Sequence, residues 1–281
     1  MSRVDGVRIK HGDPMYTVVP HIMTERSDSM NMIELFIPIK PMNLYIKEKR
    51  EQGIEISHLA LIMAAFTRTV AEFPSLNRFI VNRKIYARKG IQIGMVVLKP
   101  EGETMNKFYL DPADDIFTVN QKLLDYVTEN RKQAAENPTD KIISFLVGVP
   151  GVLRAGVALI KWADKHGLLP QAVVDMSPMH ESMVITNLAS IGTNHIFHHI
   201  YNFGTVSEIV AMGNLRNMPK KGIGATGFER CLPMGVVMDE RIASGVYFSR
   251  AFRKLENYLK DPHLLEGPPE VCIREWEQKG L

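Results

Sequence analysis

Cysteine is scarce. The 281 residues hold only Cys231 and Cys272, too far apart for a short-spaced metal motif and too few for a disulfide framework, so a reducing, cytoplasmic setting is expected. Neither sign of charge is in excess: Lys and Arg number 34 against 31 Asp and Glu, a formal balance of +3. That is too small for a phosphate-tracking surface and argues against nucleic acid as a partner. Met1 to Pro14 is polar and lacks an apolar signal-peptide core, so no export is expected. Long apolar runs are missing too. The best one, Ile142 to Trp162, is interrupted by Gly148, Pro150, Gly151, Arg154, Gly156 and Lys161, unlike the ~20 apolar residues of a spanning helix. No Gly-rich phosphate loop follows a strand candidate, which argues against a doubly wound nucleotide fold. There is no internal repeat and no long linker.

What is present suits a folded domain. Apolar residues make up 45% and charged residues 23%, an ordinary globular balance, and the length allows one large domain or two modest ones. Met32 to Ile39 reads as an apolar strand followed by a helix through Arg50. Ser57 is a helix cap before an apolar-periodic run to about Glu72, which Pro74 stops. Ile91 to Leu98 reads as a buried strand and Asp115 to Gln133 as a polar-faced helix. Met183 to Leu188, Glu208 to Met212 and Met234 to Met238 read as short strands, the last leading into an amphipathic helix from Ser244 to Leu259. Strands and helices mix without a regular βαβ beat, which argues α+β or an irregular mixed sheet. From Pro150 to before Gly167, Arg154, Lys161 and Lys165 recur on one side of a helix, opposite Val152, Leu159, Ile160 and Ala163. Its apolar face is expected to pack on the core; the other option is a membrane-surface or acyl-chain contact through residues 150–165. The tail beyond Pro262, with Gly267-Pro268-Pro269, reads as an extension laid on the surface or reaching a neighbour.

Several segments in order carry a resemblance. Phe73-Pro74-Ser75-Leu76-Asn77-Arg78, Lys84-Ile85-Tyr86 and Ile91-Gln92-Ile93-Gly94-Met95-Val96-Val97 resemble the F-P-x-L-N and I-G-x-A-V stretches of the dihydrolipoyl acyltransferase catalytic domains of 2-oxoacid dehydrogenase complexes. Val184-Ile185-Thr186-Asn187-Leu188 sits where that family has T-I-S-N-L, and Glu208-Ile209-Val210-Ala211-Met212-Gly213 resembles its E-V-A-I-L-G strand. The resemblance spans about residues 15–265, leaving 1–14 and 266–281 as extensions. It implies the chloramphenicol acetyltransferase-like fold, an α/β class (α+β sandwich) with a mixed sheet flanked by helices, a trimer with active sites in channels between subunits, and an acyl-thioester substrate such as acyl-CoA. It also implies a catalytic signature, Asp-His-Arg-x-x-Asp-Gly, whose His is the general base while a Ser or Thr hydroxyl steadies the oxyanion.

Here that stretch reads Asp239-Glu240-Arg241-Ile242-Ala243-Ser244-Gly245. The base position holds Glu240, and Ser244 replaces the second Asp. Imidazole titrates near operating pH at ~6.5, whereas a carboxylate at ~4.3 is a weaker base and forfeits much of the ~10²–10⁴-fold acid–base contribution unless burial raises it. Glu240 is therefore either a base raised in an apolar channel or the partner of Arg241 or another cation. Thr186 stands at the hydroxyl position, as oxyanion donor or as a strand-end residue. Asp239 and Arg241 read as a structural ion pair. His195, His198 and His199 form a second cluster; pocket lining or surface is the plain reading, zinc the sharper one, and His199 is the recruit if the base comes from this loop. No metal is expected. His180 and His58 read as hydrogen-bonded structural histidines.

Two functional readings follow. One is an acyltransferase homologue that binds an acyl-thioester between subunits, with standard transfer compromised by Glu240. The other is a non-catalytic trimeric assembly or binding protein on the same fold. The chain carries no lipoyl-attachment domain, so it is not expected to be an ordinary core subunit unless another chain supplies the lipoyl arm.

Overall fold

A computed structural model describes residues 3–10, 12–99, 102–132, 151–220, 222 and 224–278. The expected stretch Ile142 to Trp162 thus lies outside the described residues up to position 150, as does Gln133.

The centre of the fold is α3, His58–Glu72, in which every residue from Ala60 to Ala71 is buried. A helix apolar on nearly all sides belongs inside a domain; its Thr67 and Thr69 hydroxyls donate within the helix to the carbonyls of Met63 and Ala65, and the buried Arg68 reaches out to the carbonyls of Leu264 and Gly267. Ser57 caps it by accepting from the Ala60 N–H at 3.0 Å. Beside it lie α2 (Ile39–Glu51), α4 (Ile116–Lys132) and α7 (Gly245–Lys260). The last buries Phe248, Ala251, Phe252, Leu255, Tyr258 and Leu259, the i, i+3, i+4 spacing of one helix face. Ser244 caps α7 by accepting from the Tyr247 N–H.

These helices cover one face of a seven-stranded mixed sheet. Its order is β2 (Met30–Pro38), β10 (Phe228–Asp239), β8 (Glu208–Met212), β7 (Met183–Asn187), β5 (Ile91–Lys99) and β6 (Gly102–Leu110), with β9 (Arg216–Pro219) on the first part of β10. The pairs β5–β7 and β7–β8 are parallel; the others are antiparallel. A smaller antiparallel sheet joins β1 (Gly6–Arg8), β4 (Lys84–Arg88) and β3 (Arg78–Val81). The β3–β4 loop is Asn82-Arg83, both with positive φ (49° and 58°), the geometry of a two-residue type I′ hairpin turn that usually takes Asn-Gly. An arginine in this left-handed region costs about 1–2 kcal/mol.

The open face of the sheet is crossed by the segment after β7. Ile200 and Val206 cover Val184, Ile209 and Val237. The crossing needs glycine at two points, because a Cβ on Gly213 would sit 2.0 Å from the His195 backbone nitrogen and one on Gly235 2.2 Å from the Ile196 carbonyl oxygen.

The expectation for the amphipathic helix is overturned. It runs Val152–Lys165 (α5), but its apolar side does not pack on the core: Leu159 is 64% and Trp162 54% exposed, and the only buried residue is Asp164. The helix is held through its polar side, because Arg3 donates to the Asp164 carboxylate and carbonyl at 2.8 and 2.6 Å. Residues near both ends of the described chain are built in. Arg3 and Asp5 are buried, and Glu275 is buried against Arg78, which donates to it, while the Ile273 N–H donates to the Ala71 carbonyl. Among the described residues no helix is long and apolar enough to cross a membrane.

The seated glycines give a test. Gly235→Ala is expected to lower unfolding free energy by about 1–3 kcal/mol in urea denaturation. Gly245→Ala, whose added methyl meets nothing within 4 Å, is expected to be neutral or stabilising by up to about 1 kcal/mol. Equal effects would show that the 194–196 crossing is not seated on β10.

Candidate active site

The turn after β10 is built around Asp239, fully buried. Its carboxylate accepts from Arg241 Nε at 2.8 Å and Nη2 at 2.7 Å, from the Arg241 N–H at 3.1 Å and from the Ser29 hydroxyl at 3.2 Å. Arg241 also donates to the Met23 carbonyl. Asp239 and Arg241 thus form the structural pair expected of them.

Glu240 leaves this brace half-buried. Its N–H donates to the Ser29 carbonyl at 2.9 Å. Its Oε2 accepts from the Asn31 side-chain amide at 2.6 Å. Pairing of Glu240 with Arg241, one of the two readings of this residue, is not what occurs: Asp239 has taken that guanidinium, and an amide on β2 holds the glutamate instead. Asn31 also lines a cavity of about 380 Å³ with Met32, Ile33, Leu35, Phe248 and Phe252.

Thr186 lies elsewhere. In register it stands opposite Ala211, which stands opposite Gly235, which stands opposite Glu34. From that row to position 240 is about five residue rises, ~16 Å, along the strands and two strand spacings, ~10 Å, across them. Glu240 and Thr186 of one chain therefore do not share a site.

The three histidines do not converge. His195 Nε2 is 2.7 Å from Glu34 Oε1, in the Thr186 row. Further along, the Ile200 N–H meets Met30 Sδ at 3.2 Å, so the loop runs beside β10 and carries His199 toward the Glu240 end. His198 and His199 stack on one another with ring centroids 4.9 Å apart, and Tyr201 meets His199 edge-on. Among the described residues no group of three His, Cys, Asp or Glu is placed to hold a metal ion. His180 is fully buried, bound to the Ser177 hydroxyl at 2.7 Å and 3.2 Å from Asp164; His58 meets Asn43 at 2.6 Å.

Two carboxyls that the sequence did not single out for chemistry are more perturbed. Glu181 and Glu208 are fully buried, and no oxygen of either has a hydrogen-bond partner. Burial pushes Glu181 up to about 8, against the pull of Lys107 and Arg88, and burial alone pushes Glu208 up to about 8. Lys107 is driven down to about 8, chiefly by burial, with Glu181 opposing. Glu181 occupies the space a side chain on Gly94 would take. The signal for Glu181 was legible only as a charge just before an apolar strand.

With this geometry in place, comparison with solved structures becomes informative. The chain is similar to the cubic core of the pyruvate dehydrogenase multienzyme complex at 12% identity and a TM-score of 0.59, over 92% of this chain and 93% of that one. It is similar to the dihydrolipoamide acetyltransferase of Azotobacter vinelandii at 16% identity and 0.55, over 92% and 94%. A third likeness is to chloramphenicol acetyltransferase, at 11% identity and 0.54, over 91% and 100%. The chain has the chloramphenicol acetyltransferase-like fold. No protein-family model matches the sequence, and no curated protein does. This fold is shared at low identity, so the chemistry must be argued from the residues themselves.

Glu208 makes a pH test. Its folded-state carboxyl keeps its proton to about pH 8, whereas the unfolded chain releases it near 4.3. The folded state therefore binds more protons in that window, and stability falls as pH rises through it, by up to about 1.4 kcal/mol per pH unit. Glu208→Gln is expected to raise the urea midpoint at pH 9 and to leave it little changed at pH 4. A variant whose midpoint shifts equally at both values would contradict the buried, unpartnered carboxyl.

Proposed function

We propose that this chain is an acyltransferase homologue that binds an acyl-thioester such as acyl-CoA between copies of itself and does not perform standard imidazole-catalysed transfer. The observation that carries this reading is the setting of Glu240. It stands where the fold's relatives are expected to place their base, on an intact Asp239–Arg241 brace, and the amide that holds it lines an apolar groove. The groove's Met, Ile, Leu and Phe side chains suit an acyl chain. A carboxylate that already accepts a 2.6 Å hydrogen bond is a poorer proton shuttle than imidazole, which is why transfer is impaired.

Assembly completes the site. Since Thr186 and Glu240 stand at opposite ends of one sheet, a channel that uses both takes one from each of two copies, and a homotrimer supplies that arrangement three times over. Strand β2, at the sheet's edge and carrying Asn31, and the uncovered apolar side of α5 favour such contacts. The same uncovered side favours the second reading, a non-catalytic trimeric assembly protein. Membrane-surface attachment through α5 is the weaker use of that side, since trimer contacts would cover it.

A thiol-release assay with an acyl-CoA panel, run beside calorimetric binding and light scattering, separates these readings. Wild type is expected to bind an acyl-CoA and release thiol slowly. Glu240→His should raise turnover at least tenfold, and Thr186→Val in that background should lower it again by about 10²-fold or more. Turnover by wild type that disappears only in His199→Ala would move the base to the histidine loop. No binding of any acyl-CoA by a stable trimer would leave the assembly reading.

A further inference from the structure

A second cavity, about 340 Å³, lies between the loop before β2, the β3–β4 turn, the end of α5 and the turn after β10. Its lining includes five cationic residues, Arg26, Arg83, Lys161, Lys165 and Arg241, against Glu25 and Asp164. The two acids do little to neutralise it. Asp164 is already engaged by Arg3 at 2.8 Å and by His180 at 3.2 Å, and Glu25 is exposed.

Arg26 forms a charged floor. It is 4% exposed, and its terminal nitrogens donate only to carbonyls, of Ile80 at 2.6 Å, Asn202 at 3.0 Å and Tyr201 at 3.5 Å. Its Nε has no hydrogen-bond partner, and the nearest carboxylate oxygen, on Asp239, is 3.7 Å away and committed to Arg241. Burial, together with the neighbouring Arg241, lowers Arg26 to about 10 despite Asp239, the response of a guanidinium with too little negative charge near it. At the rim, Lys161, Lys165 and Arg83 are exposed.

The turn supplies an independent observation. Arg83 holds a left-handed backbone (φ 58°) at the position of a type I′ turn where glycine is favoured. Both turn residues line the cavity, but asparagine adopts this conformation readily and arginine does not, so the strain falls on the cation, and strain kept at a ligand-facing residue is a mark of use.

We propose that this cavity binds a small phosphate-bearing molecule, its phosphoryl oxygens held by Arg83, Lys161 and Lys165 above the Arg26 and Arg241 guanidiniums. Cationic clefts with low-dielectric walls concentrate anions, and guanidinium matches phosphate oxygens in pairs. The volume falls at the small end of the ~300–1,000 Å³ range of ligand pockets, which suits phosphate, diphosphate or a short phosphate monoester better than a whole coenzyme. The site does not depend on acyl-thioester binding, since none of its lining residues lines the groove beside Asn31.

Calorimetric titration at matched ionic strength tests it, with phosphate, pyrophosphate and glycerol 3-phosphate as ligands and malonate and chloride as anion controls. Wild type is expected to bind at least one phosphate compound saturably and at least tenfold more tightly than malonate. Inorganic compounds binding as well as the monoester would identify the free ion as the source; a tighter monoester would identify an organic phosphate. Arg83→Gly, which fits the turn, should weaken binding at least tenfold without lowering the urea midpoint, and Lys161→Gln with Lys165→Gln should do so as well. No saturable binding above the controls, or unchanged affinity in both variants, overturns the proposal, whatever the acyl-CoA assay shows.

Discussion

The Asp239 carboxylate sits with no exposure at the end of the longest strand and takes hydrogen bonds from Arg241, Ser29 and the turn's own backbone. A buried ion pair of this kind adds little net stability, since desolvation offsets attraction, but losing one partner leaves a stranded charge at a cost of about 3–5 kcal/mol. Its effect is geometric. By holding Arg241 inward and Ser29 close, it leaves position 240 the next residue free to point away, and brings it within reach of Asn31 on the neighbouring strand. Through Arg241 the same contact ties down Met23, and with it the chain leading into β2.

That constraint belongs to a wider division between the helix side of the large sheet and the surroundings of the small one. The helix side is mostly apolar and is filled by α3 and its neighbours. The small sheet is set among charges: Arg3 bridges Asp5 and Asp164, lies near the Phe79 and Tyr86 rings, and Arg88 sits 4.4 Å from the Phe79 centroid while donating to Thr205. Aromatic faces and carbonyls stabilise these guanidiniums where water is excluded. Glu208 is the exception, a carboxyl on the apolar side with nothing to meet it, and it stays folded-compatible by remaining protonated.

Much of the helix-side architecture was legible because periodicity and caps report burial directly. Ser57, Ser244 and the α7 spacing stand where the pattern put them. Strand β10 extends six residues before Met234, because Phe228, Glu229 and Arg230 do not alternate as a buried strand; they pair with the exposed β9. Helix α5 was misread for a related reason. Its amphipathic pattern is genuine, but pattern states that a face wants covering and not that its own chain covers it. The candidate site was half legible. Position 240 was named by resemblance alone, whereas the Asn31 contact joins residues 209 apart and Glu181 gains its setting from Gly94 and Lys107, on strands that no local signal connects to it.

The turn after β10 also makes sense as a piece of structure independent of chemistry. Ser244 serves as the α7 cap, accepting from the Tyr247 N–H, a task at which Ser and Asp are near equals. Glu240 is held by one side-chain amide, that of Asn31. Neither of these contacts uses the Asp239 carboxylate or the Arg241 guanidinium, which bind each other. The shape of this corner and the setting of the side chain at position 240 therefore rest on different atoms, so the residue at 240 can vary while the frame that carries it stays the same.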